Sequence, residues 1–424
     1  MKLGDFRERL HVTGTVRTTG GLECPVNIEI SYAKYVPGEL EVHVVCPAPE
    51  WRQLGLVLEK RQEGLEVSGE DERGQTLRLQ DARLKSHRGS RAEFDCTGFT
   101  FGFESAVDFD SGEYSAQVRI PYTDLVATWS TEGMSYLGTI QSKRKYNEGI
   151  RWSSPLGEFL MADFYHFEQA PLRGQGVLSR VKVAELRHEG KVHSRFDPRL
   201  LVDKVEEAIE EPLYLLSFLS RTPLFWYEIR TTLRIEGSDG AKWREYVRRR
   251  EMPSENTEHA WALADRWHLA GDAFEQLLGR LRASSVKKWL LRAMIYCVGS
   301  HRERSLETNL SMIYLAAESL FNAHGVQGER AKFERGLQTL LKNADIDHRQ
   351  LWPAHIKPSK GVQELAERRR KFIHEACAED PGMLDKDCGR LQLIAERSIL
   401  AALGCGPEWI DRDAYDTRWL ASGA

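Results

Sequence analysis

The stretch LAERRRKFIHEACAED, residues 365–380, decides how the C-terminal part of the chain is interpreted. Around it, apolar residues and one arginine recur at spacings of three, four and one, which is the periodicity of one helix face. The members of this stripe are Val362, Leu365, Arg369, Phe372, Ile373 and Ala376. Arg369 takes a position that the pattern gives to an apolar side chain, and an unpaired buried charge is costly. The sequence therefore predicts a partner for the Arg369 guanidinium.

The long helical segment that precedes this stretch supplies a carboxylate for that partner. Glu318 stands at the margin of an apolar stripe, four residues after Tyr314 and three before Phe321. We predict that Glu318 and Arg369 form an ion pair between the two helices, because otherwise the charge of the guanidinium would be buried in the apolar stripe without a partner.

The two arginines beside Arg369 have different predicted surroundings. Arg370 and His374 are four residues apart, so they share a neighbouring face of the helix. Arg368 lies off both faces and is assigned to solvent. Spacing alone leaves open which of Arg368 and Arg369 belongs with His374.

Helical periodicity extends over most of the last third of the chain. Segments such as VKKWLLRAMIYCV, LETNLSMIYLAAESLFNA and GRLQLIAERSILAAL carry apolar residues three and four positions apart. GCGP at 404–407 ends the last of them, with glycine just past the helix and proline beyond it. These patterns predict an all-α bundle over residues 284–406 and a tail over residues 407–424.

The N-terminal part, residues 1–195, has a different pattern. Short runs such as VNIEISYA and LEVHVVCP alternate apolar and polar residues, and turn-forming stretches such as TTGG and DFDSGE separate the runs. This pattern predicts a β-rich domain of the sandwich or barrel type, so the fold class is α+β multidomain. Residues 196–283 are predicted to be a mixed, mainly helical connecting region, with one strand at LFWYEIRTTLRI, a kink or break at Pro212, and almost only helix after EGSDG.

Composition excludes several classes of function. The chain has 424 residues and a formal net charge of −4, so any contact with nucleic acid must be local rather than a property of the whole surface. No apolar run is long enough to cross a membrane, and the start lacks a signal peptide. Seven scattered cysteines without a CxxC pair favour a reducing cytoplasm over a disulfide scaffold. No metal-binding or cofactor-binding motif is present, so neither is expected.

Arg369, the four residues RKFI and then His374 on a bundle helix resemble the signature of the HEPN superfamily. The preceding segment LETNLSMIYLAAESLFNA, with Glu318, resembles the first helix of HEPN bundles. The order of a long β-rich region and then this bundle looks like the Apea-like HEPN proteins of bacterial anti-phage defence. Many family members carry a polar residue, often asparagine, directly after the arginine, where this chain has Arg370.

The resemblance implies a metal-independent endoribonuclease that acts in abortive infection. His374 would be the general acid or base for attack by the RNA 2′-hydroxyl, and Arg369 would clamp the phosphate. Glu318 would orient Arg369, and Arg370 would assist either group. Since one histidine serves both ends of the displacement poorly, a homodimer through the bundle is expected. The β-rich domain would sense a phage-derived trigger or keep the nuclease silent, and tRNA is one candidate substrate.

A local basic run agrees with an RNA contact. Between residues 276 and 304 the chain has seven basic residues and one acidic residue. The predicted RNA-binding residues of this run are Lys287, Lys288, Arg292, Arg302 and Arg304. Trp289 and Tyr296 lie among these charges, where they either stack on bases or pack in the core. A second basic loop, QSKRKYNEG, occupies residues 141–149.

Two other hypotheses remain open. Some HEPN domains only bind nucleotides or partner proteins, and Arg370 in place of the usual polar residue favours such a catalytically inactive binding or dimerisation module. The second alternative is a carbohydrate-binding or protein-binding β domain joined to a helical oligomerisation domain, which predicts no effect on RNA.

Overall fold

The structure is a computed structural model of the chain. The structure describes residues 7–18, 21–33, 40–47, 51–59, 65–104, 107–121, 150–172, 175–237, 240–251, 263, 269, 272–301, 305–326, 332–375, 380–406, 409 and 420. The described strands are β1 Arg7–Thr18, β2 Glu23–Ala33, β3 Glu41–Val45, β4 Leu65–Glu70, β5 Thr76–Gln80, β6 Arg83–Arg88, β7 Arg91–Asp95, β8 Gly98–Gly102, β9 Val107–Ile120, β10 Ile150–Ser154, β11 Gly157–Leu172, β12 Gln175–Phe196, β13 Glu228–Gly237 and β14 Gly240–Arg250. The described helices are α1 Trp51–Glu59, α2 Pro198–Ser220, α3 Ala273–Ala283, α4 Lys287–Ser300, α5 Leu306–Ala323, α6 Lys332–Asn343, α7 Pro358–Glu375 and α8 Pro381–Ala402.

All fourteen described strands belong to one antiparallel sheet, in the order β10-β11-β12-β9-β13-β14-β8-β5-β4-β1-β2-β3-β7-β6. Most of the described helices follow the strands along the chain. The exceptions are α1, which packs on β1 and β2, and α2, which precedes β13 and β14. The prediction of a β-rich part followed by a helical part is therefore confirmed. The alternation seen in the sequence is the cause, since every second residue of strands such as β3 and β7 is buried.

The part of the sheet from β8 to β7 is strongly curled. Tyr32 on β2 and Phe99 on β8 are four strands apart in the sheet order, which would place them about 19 Å apart on a flat sheet. Their ring centroids are only 5.2 Å apart. Buried residues of β1 to β5, β7, β8 and α1 consequently share one core.

The chain divides into two compact units. The first contains Met1–Tyr122, Thr128–Ile209 and Phe225–Asn256, and the second contains Thr123–Ala127, Glu210–Leu224 and Thr257–Ala424. We refer to them as the β unit and the helical unit. The division falls within α2, so the segment predicted to connect the two domains contributes to both units.

Two expectations for the connecting region were wrong. The chain after EGSDG does not turn wholly helical, because GAKWREYVRRR forms β14 and pairs with β13 along its length. The second is a break at Pro212, because α2 continues to Ser220 with the proline inside it. The kink, which was the other outcome predicted for Pro212, stays a prediction.

In the helical unit, α8 is the central element. Its middle and C-terminal turns are buried almost all round, and it contacts α4, α5 and α6. Several buried residues of α8 are charged, namely Lys386, Asp387, Arg390, Glu396 and Arg397. Each buried charge needs a specific partner on a neighbouring element, so α8 organises the polar contacts of the unit.

No helix in the described part of the chain is both long enough and apolar enough to cross a membrane.

Candidate active site in the helical unit

Helix α7 carries the Arg369 motif and is anchored by its N-terminal half. Val362 and Leu365 are almost fully buried. Phe372 is half-buried, with its ring centroid 6.3 Å from that of Tyr314. Ile373, which the apolar stripe had assigned to the core, is 46% exposed, so that assignment was wrong. The buried face of α7 thus becomes more exposed towards its C-terminal end.

Arg369 lies where this face begins to open. Its side chain is 21% exposed, and its Nη2 donates a hydrogen bond to Oε1 of Glu318 on α5. The predicted ion pair between the two helices is therefore confirmed. The guanidinium carbon also lies 4.6 Å from the ring centroid of Phe333 on α6 and 5.4 Å from that of Tyr314. Two aromatic rings and one carboxylate therefore fix the orientation of the guanidinium.

Arg368 is not a solvated residue, contrary to the prediction. Its Nε and Nη2 donate to Oδ2 and Oδ1 of Asp387 on α8, at 2.5 and 2.9 Å. Arg390 Nη1 donates to the same Asp387 Oδ1 at 3.0 Å, and Asp387 is fully buried. Although burial lowers the pKa of Arg368, its hydrogen bond to Asp387 and the charge of Asp387 raise that pKa above its ordinary value. Arg368 therefore holds α7 against α8.

Arg370 lies on the outer side of α7, one helical turn before His374. Arg370 is 55% exposed, and its Nη2 donates to Glu367 Oε1 at 2.7 Å. This hydrogen bond lowers the pKa of Glu367. The backbone of His374 belongs to the last turn of α7, one turn after Arg370, and its side chain lies outside the described part of the structure.

The arrangement around Arg369 suits recognition of a phosphate. A planar guanidinium held by fixed neighbours loses little side-chain freedom when an oxyanion binds. Glu318 is 37% exposed, so the carboxylate that orients the guanidinium faces solvent in part. A half-buried guanidinium interacts with an anion more strongly than one in bulk water.

One of the predicted RNA-binding residues, Lys287, is already paired with a carboxylate. Lys287 donates to Glu211, and Arg282 donates to the same carboxylate at 3.2 Å. Burial raises the pKa of Glu211, but its hydrogen bonds to Lys287 and Arg282 outweigh burial, so that pKa lies below its ordinary value. Arg280 is used structurally, since it donates to the carbonyls of residues 403 and 404 at the end of α8.

Two of the predicted RNA-binding residues remain exposed on α4. Lys288 lies 5.9 Å from the ring centroid of Trp289, and Arg292 donates from Nε and Nη2 to the Tyr296 hydroxyl at 3.3 Å. Arg302 and Arg304, and the basic loop at 141–149, lie outside the described residues. Trp289 and Tyr296 are half-buried, so each presents part of its ring to solvent.

A second charged cluster of the helical unit was missed. Arg221 binds Glu396 through two hydrogen bonds, with Nε to Oε1 at 3.1 Å and Nη2 to Oε2 at 2.5 Å. His301 Nε2 lies 2.8 Å from Glu396 Oε1. Burial raises the pKa of Glu396, but Arg221 and His301 outweigh it and hold that pKa below its ordinary value. The sequence feature that could have revealed this cluster is Glu396 itself, a charged residue inside the apolar run LQLIAERSIL.

Comparisons with protein-family models, with curated proteins and with solved structures find no match to this chain.

Proposed function

We propose that the helical unit is a metal-independent endoribonuclease of the HEPN type that acts in bacterial anti-phage defence. The observation that carries the proposal is the placement of Arg369. This guanidinium is half-buried and is oriented by Glu318, Tyr314 and Phe333. The same helix carries His374 five residues later.

The proposed chemistry uses the nucleophile that RNA itself carries. The 2′-hydroxyl attacks the adjacent phosphorus, and the 5′-oxygen leaves, so the products are a 2′,3′-cyclic phosphate and a free 5′-hydroxyl. His374 transfers a proton at one of these oxygens, because an imidazole titrates near neutral pH. Arg369 neutralises the charge that develops on the non-bridging phosphate oxygens. Arg370 assists in holding the phosphate, and Glu318 keeps Arg369 in position.

One histidine cannot readily serve both the attacking and the leaving oxygen. We therefore propose a homodimer in which two bundles each supply an Arg369–His374 set to one cleft. The β unit would sense a trigger derived from a phage or restrain the nuclease until that trigger is present.

The test of the reaction type is the chemistry of the product ends. The purified protein is incubated in EDTA with total bacterial RNA and with tRNA, and the fragments are analysed by mass spectrometry. We expect fragments with 2′,3′-cyclic phosphate and 5′-hydroxyl ends. Fragments with 5′-phosphate ends, or cleavage that requires added Mg²⁺, would rule out this mechanism.

A second candidate is a binding or dimerisation module without catalysis. Two ion pairs favour it, because Arg369 already binds Glu318 and Arg370 already binds Glu367. A phosphate would have to compete with both carboxylates. Titration calorimetry with ATP and GTP separates the candidates, since the module predicts micromolar or tighter binding without turnover and without RNA cleavage.

A further inference from the structure

Four neighbouring strands of the β unit, β12, β9, β13 and β14, present a face whose cross-strand rows are mainly polar. The register places side chains of the four strands in cross-strand rows, and each row lies on one face of the sheet. The outermost row is Lys191, Glu113, Arg234 and Trp243, and the next row on the same face is Glu189, Ser115, Thr232 and Glu245.

A groove of about 450 Å³ lies in this face. Its floor contains Ser115 and Thr232, whose side chains are short and half-buried. Glu189 and Lys191 rise from β12 on one side, and Trp243 rises from β14 on the other. Three strand spacings separate β12 from β14, so the walls stand on backbones about 14 Å apart. This width accommodates one or two sugar rings.

Trp243 is the most exposed of the large hydrophobic residues in the described structure, at 63%. The Arg234 guanidinium carbon lies 5.8 Å from its ring centroid, which limits the movement of the indole. A flat apolar ring that is fixed at the wall of a polar groove provides a stacking surface for a planar or ring-shaped ligand.

The charges in the groove select among such ligands. Two carboxylates, Glu113 and Glu189, face two cations, Lys191 and Arg234, and Arg234 already lies 3.9 Å from Glu113. The carboxylates oppose the entry of a phosphate or another anion, and the paired charges give no net attraction for it. An apolar ligand would leave these charged groups desolvated without compensation.

We propose that this groove binds a neutral oligosaccharide. The C–H face of a pyranose ring stacks on Trp243, while the carboxylates accept hydrogen bonds from sugar hydroxyls. Lys191 and Arg234 donate to sugar oxygens, and the hydroxyls of Ser115 and Thr232 do either. The proposal concerns the β unit alone and does not depend on the ribonuclease activity.

The alternative explanation of Trp243 is structural. Trp243 and Arg234 are directly opposite each other in the register, and such cross-strand pairs stabilise a sheet. If the pair is purely structural, replacing Trp243 changes the stability of the β unit, and neither the wild-type protein nor the variant binds sugar.

The experiment is a binding screen of the full-length protein on an array of neutral glycans, followed by titration calorimetry with the best tetrasaccharide. AMP and a sialylated tetrasaccharide serve as anionic probes. We expect binding of at least one neutral glycan, a loss of affinity of at least about tenfold in Trp243→Ala, and near-normal affinity in Trp243→Phe, which retains a stacking ring. Leu56→Ala, at another exposed apolar residue of the β unit that is 60% exposed, is the control and should bind normally.

Three results would overturn the proposal. They are an array with no bound neutral glycan, binding that is equal in wild type and Trp243→Ala, and a preference for AMP or the sialylated probe. Circular dichroism of each variant separates loss of binding from loss of fold. Thr232→Gln, which places a longer side chain in the floor, provides a second test because it should block the groove while Trp243 stays intact.

Discussion

A buried arrangement of arginine and glutamate in the β unit differs from a partly exposed one in the helical unit. In the β unit, Glu228 binds Arg119 and Arg249, its neighbours across β9 and β14, at 2.6 and 2.8 Å, and all three side chains are at most 6% exposed. In the helical unit, Arg369 binds Glu318, and these side chains are 21% and 37% exposed. The first arrangement is closed to a substrate, whereas the second reaches solvent.

Burial is the criterion that we use to separate structural charges from candidate functional charges. Within the sheet, Glu185 continues the same row beyond Arg119, at 3.6 Å, so buried charges of opposite sign alternate across four strands. The ring of Tyr32 covers Arg249 at 4.6 Å. Such a row specifies strand pairing, because a shift in register would bury unpaired charges. Arg369 instead has one carboxylate and two rings, which fix its direction and leave it partly accessible.

The largest expected effect comes from breaking the buried row. Glu228→Gln removes the carboxylate that the guanidinium groups of Arg119, Arg230 and Arg249 share, and we expect the β unit to lose about 3–5 kcal/mol of unfolding free energy. Urea denaturation measures the loss. Glu23→Gln is the control, because Glu23 forms an ion pair with Arg17 in which both side chains are about half exposed, and its loss should cost less than about 1 kcal/mol. Equal effects in the two variants would contradict the assigned role of the row.

Arg369→Lys probes the accessible arrangement. Lysine keeps the charge but loses the planar fork, so we expect RNA cleavage to fall at least about 100-fold while the helical unit stays folded. Arg370→Lys, which alters the exposed neighbour paired with Glu367, should lower the rate by less than about fivefold. A larger loss in Arg370→Lys than in Arg369→Lys would transfer the phosphate clamp to Arg370.

Acid should destabilise both units. The folded-state pKa values of Glu228 and Glu396 lie below their ordinary values, because their arginine partners outweigh burial. A lowered pKa adds stability above the unfolded value of about 4.3, and this stability is lost as the pH falls through the folded pKa. Thermal melts between pH 7 and pH 3 should show a falling Tm, and Glu396→Gln should flatten that dependence for the helical unit. If Tm falls with pH as steeply in Glu396→Gln as in the wild type, Glu396 is not a source of the acid sensitivity.

The smallest effect is expected on RNA affinity. Each exposed cation on α4 that contacts a phosphate contributes about 0.7 to the slope of log affinity against log salt for single-stranded RNA. Replacing Lys288 and Arg292 together by alanine should lower the slope by about 1.4, as measured by fluorescence anisotropy at several salt concentrations. Lys287→Ala is the control, since Lys287 is already paired with Glu211. A decrease in slope with Lys287→Ala as large as that of the double variant would contradict this assignment.

The features that could be predicted are those whose signal lies within the sequence of a single helix or strand. Arg369 interrupts an apolar stripe, and this local contradiction was enough to infer a partner on α5. Arg368 carries no such signal, because its partner Asp387 comes from α8 and is set only by the packing of two helices. For the same reason the bond from Arg221 to Glu396, 175 residues apart, was not foreseen.

The strand β14 was missed for a different physical reason. A strand is recognised by the alternation of apolar and polar residues, but GAKWREYVRRR is charged on both faces. One of those faces carries Arg249, which is fully buried in the ionic row. When a buried charge is neutralised by residues of other strands, the sequence of its own strand gives no sign that the charge is buried. The order of the fourteen described strands likewise depends on partners that are distant in the chain.

The central claim is that His374 transfers a proton during RNA cleavage. The direct measurement is the single-turnover cleavage rate of a labelled RNA in EDTA by the wild-type protein, by His374→Ala and by His355→Ala, a control at an exposed histidine of the same unit. We predict that His374→Ala reduces the rate by at least about 100-fold and that His355→Ala leaves it unchanged. Equal rates for wild type and His374→Ala, with both proteins folded, would contradict the claim.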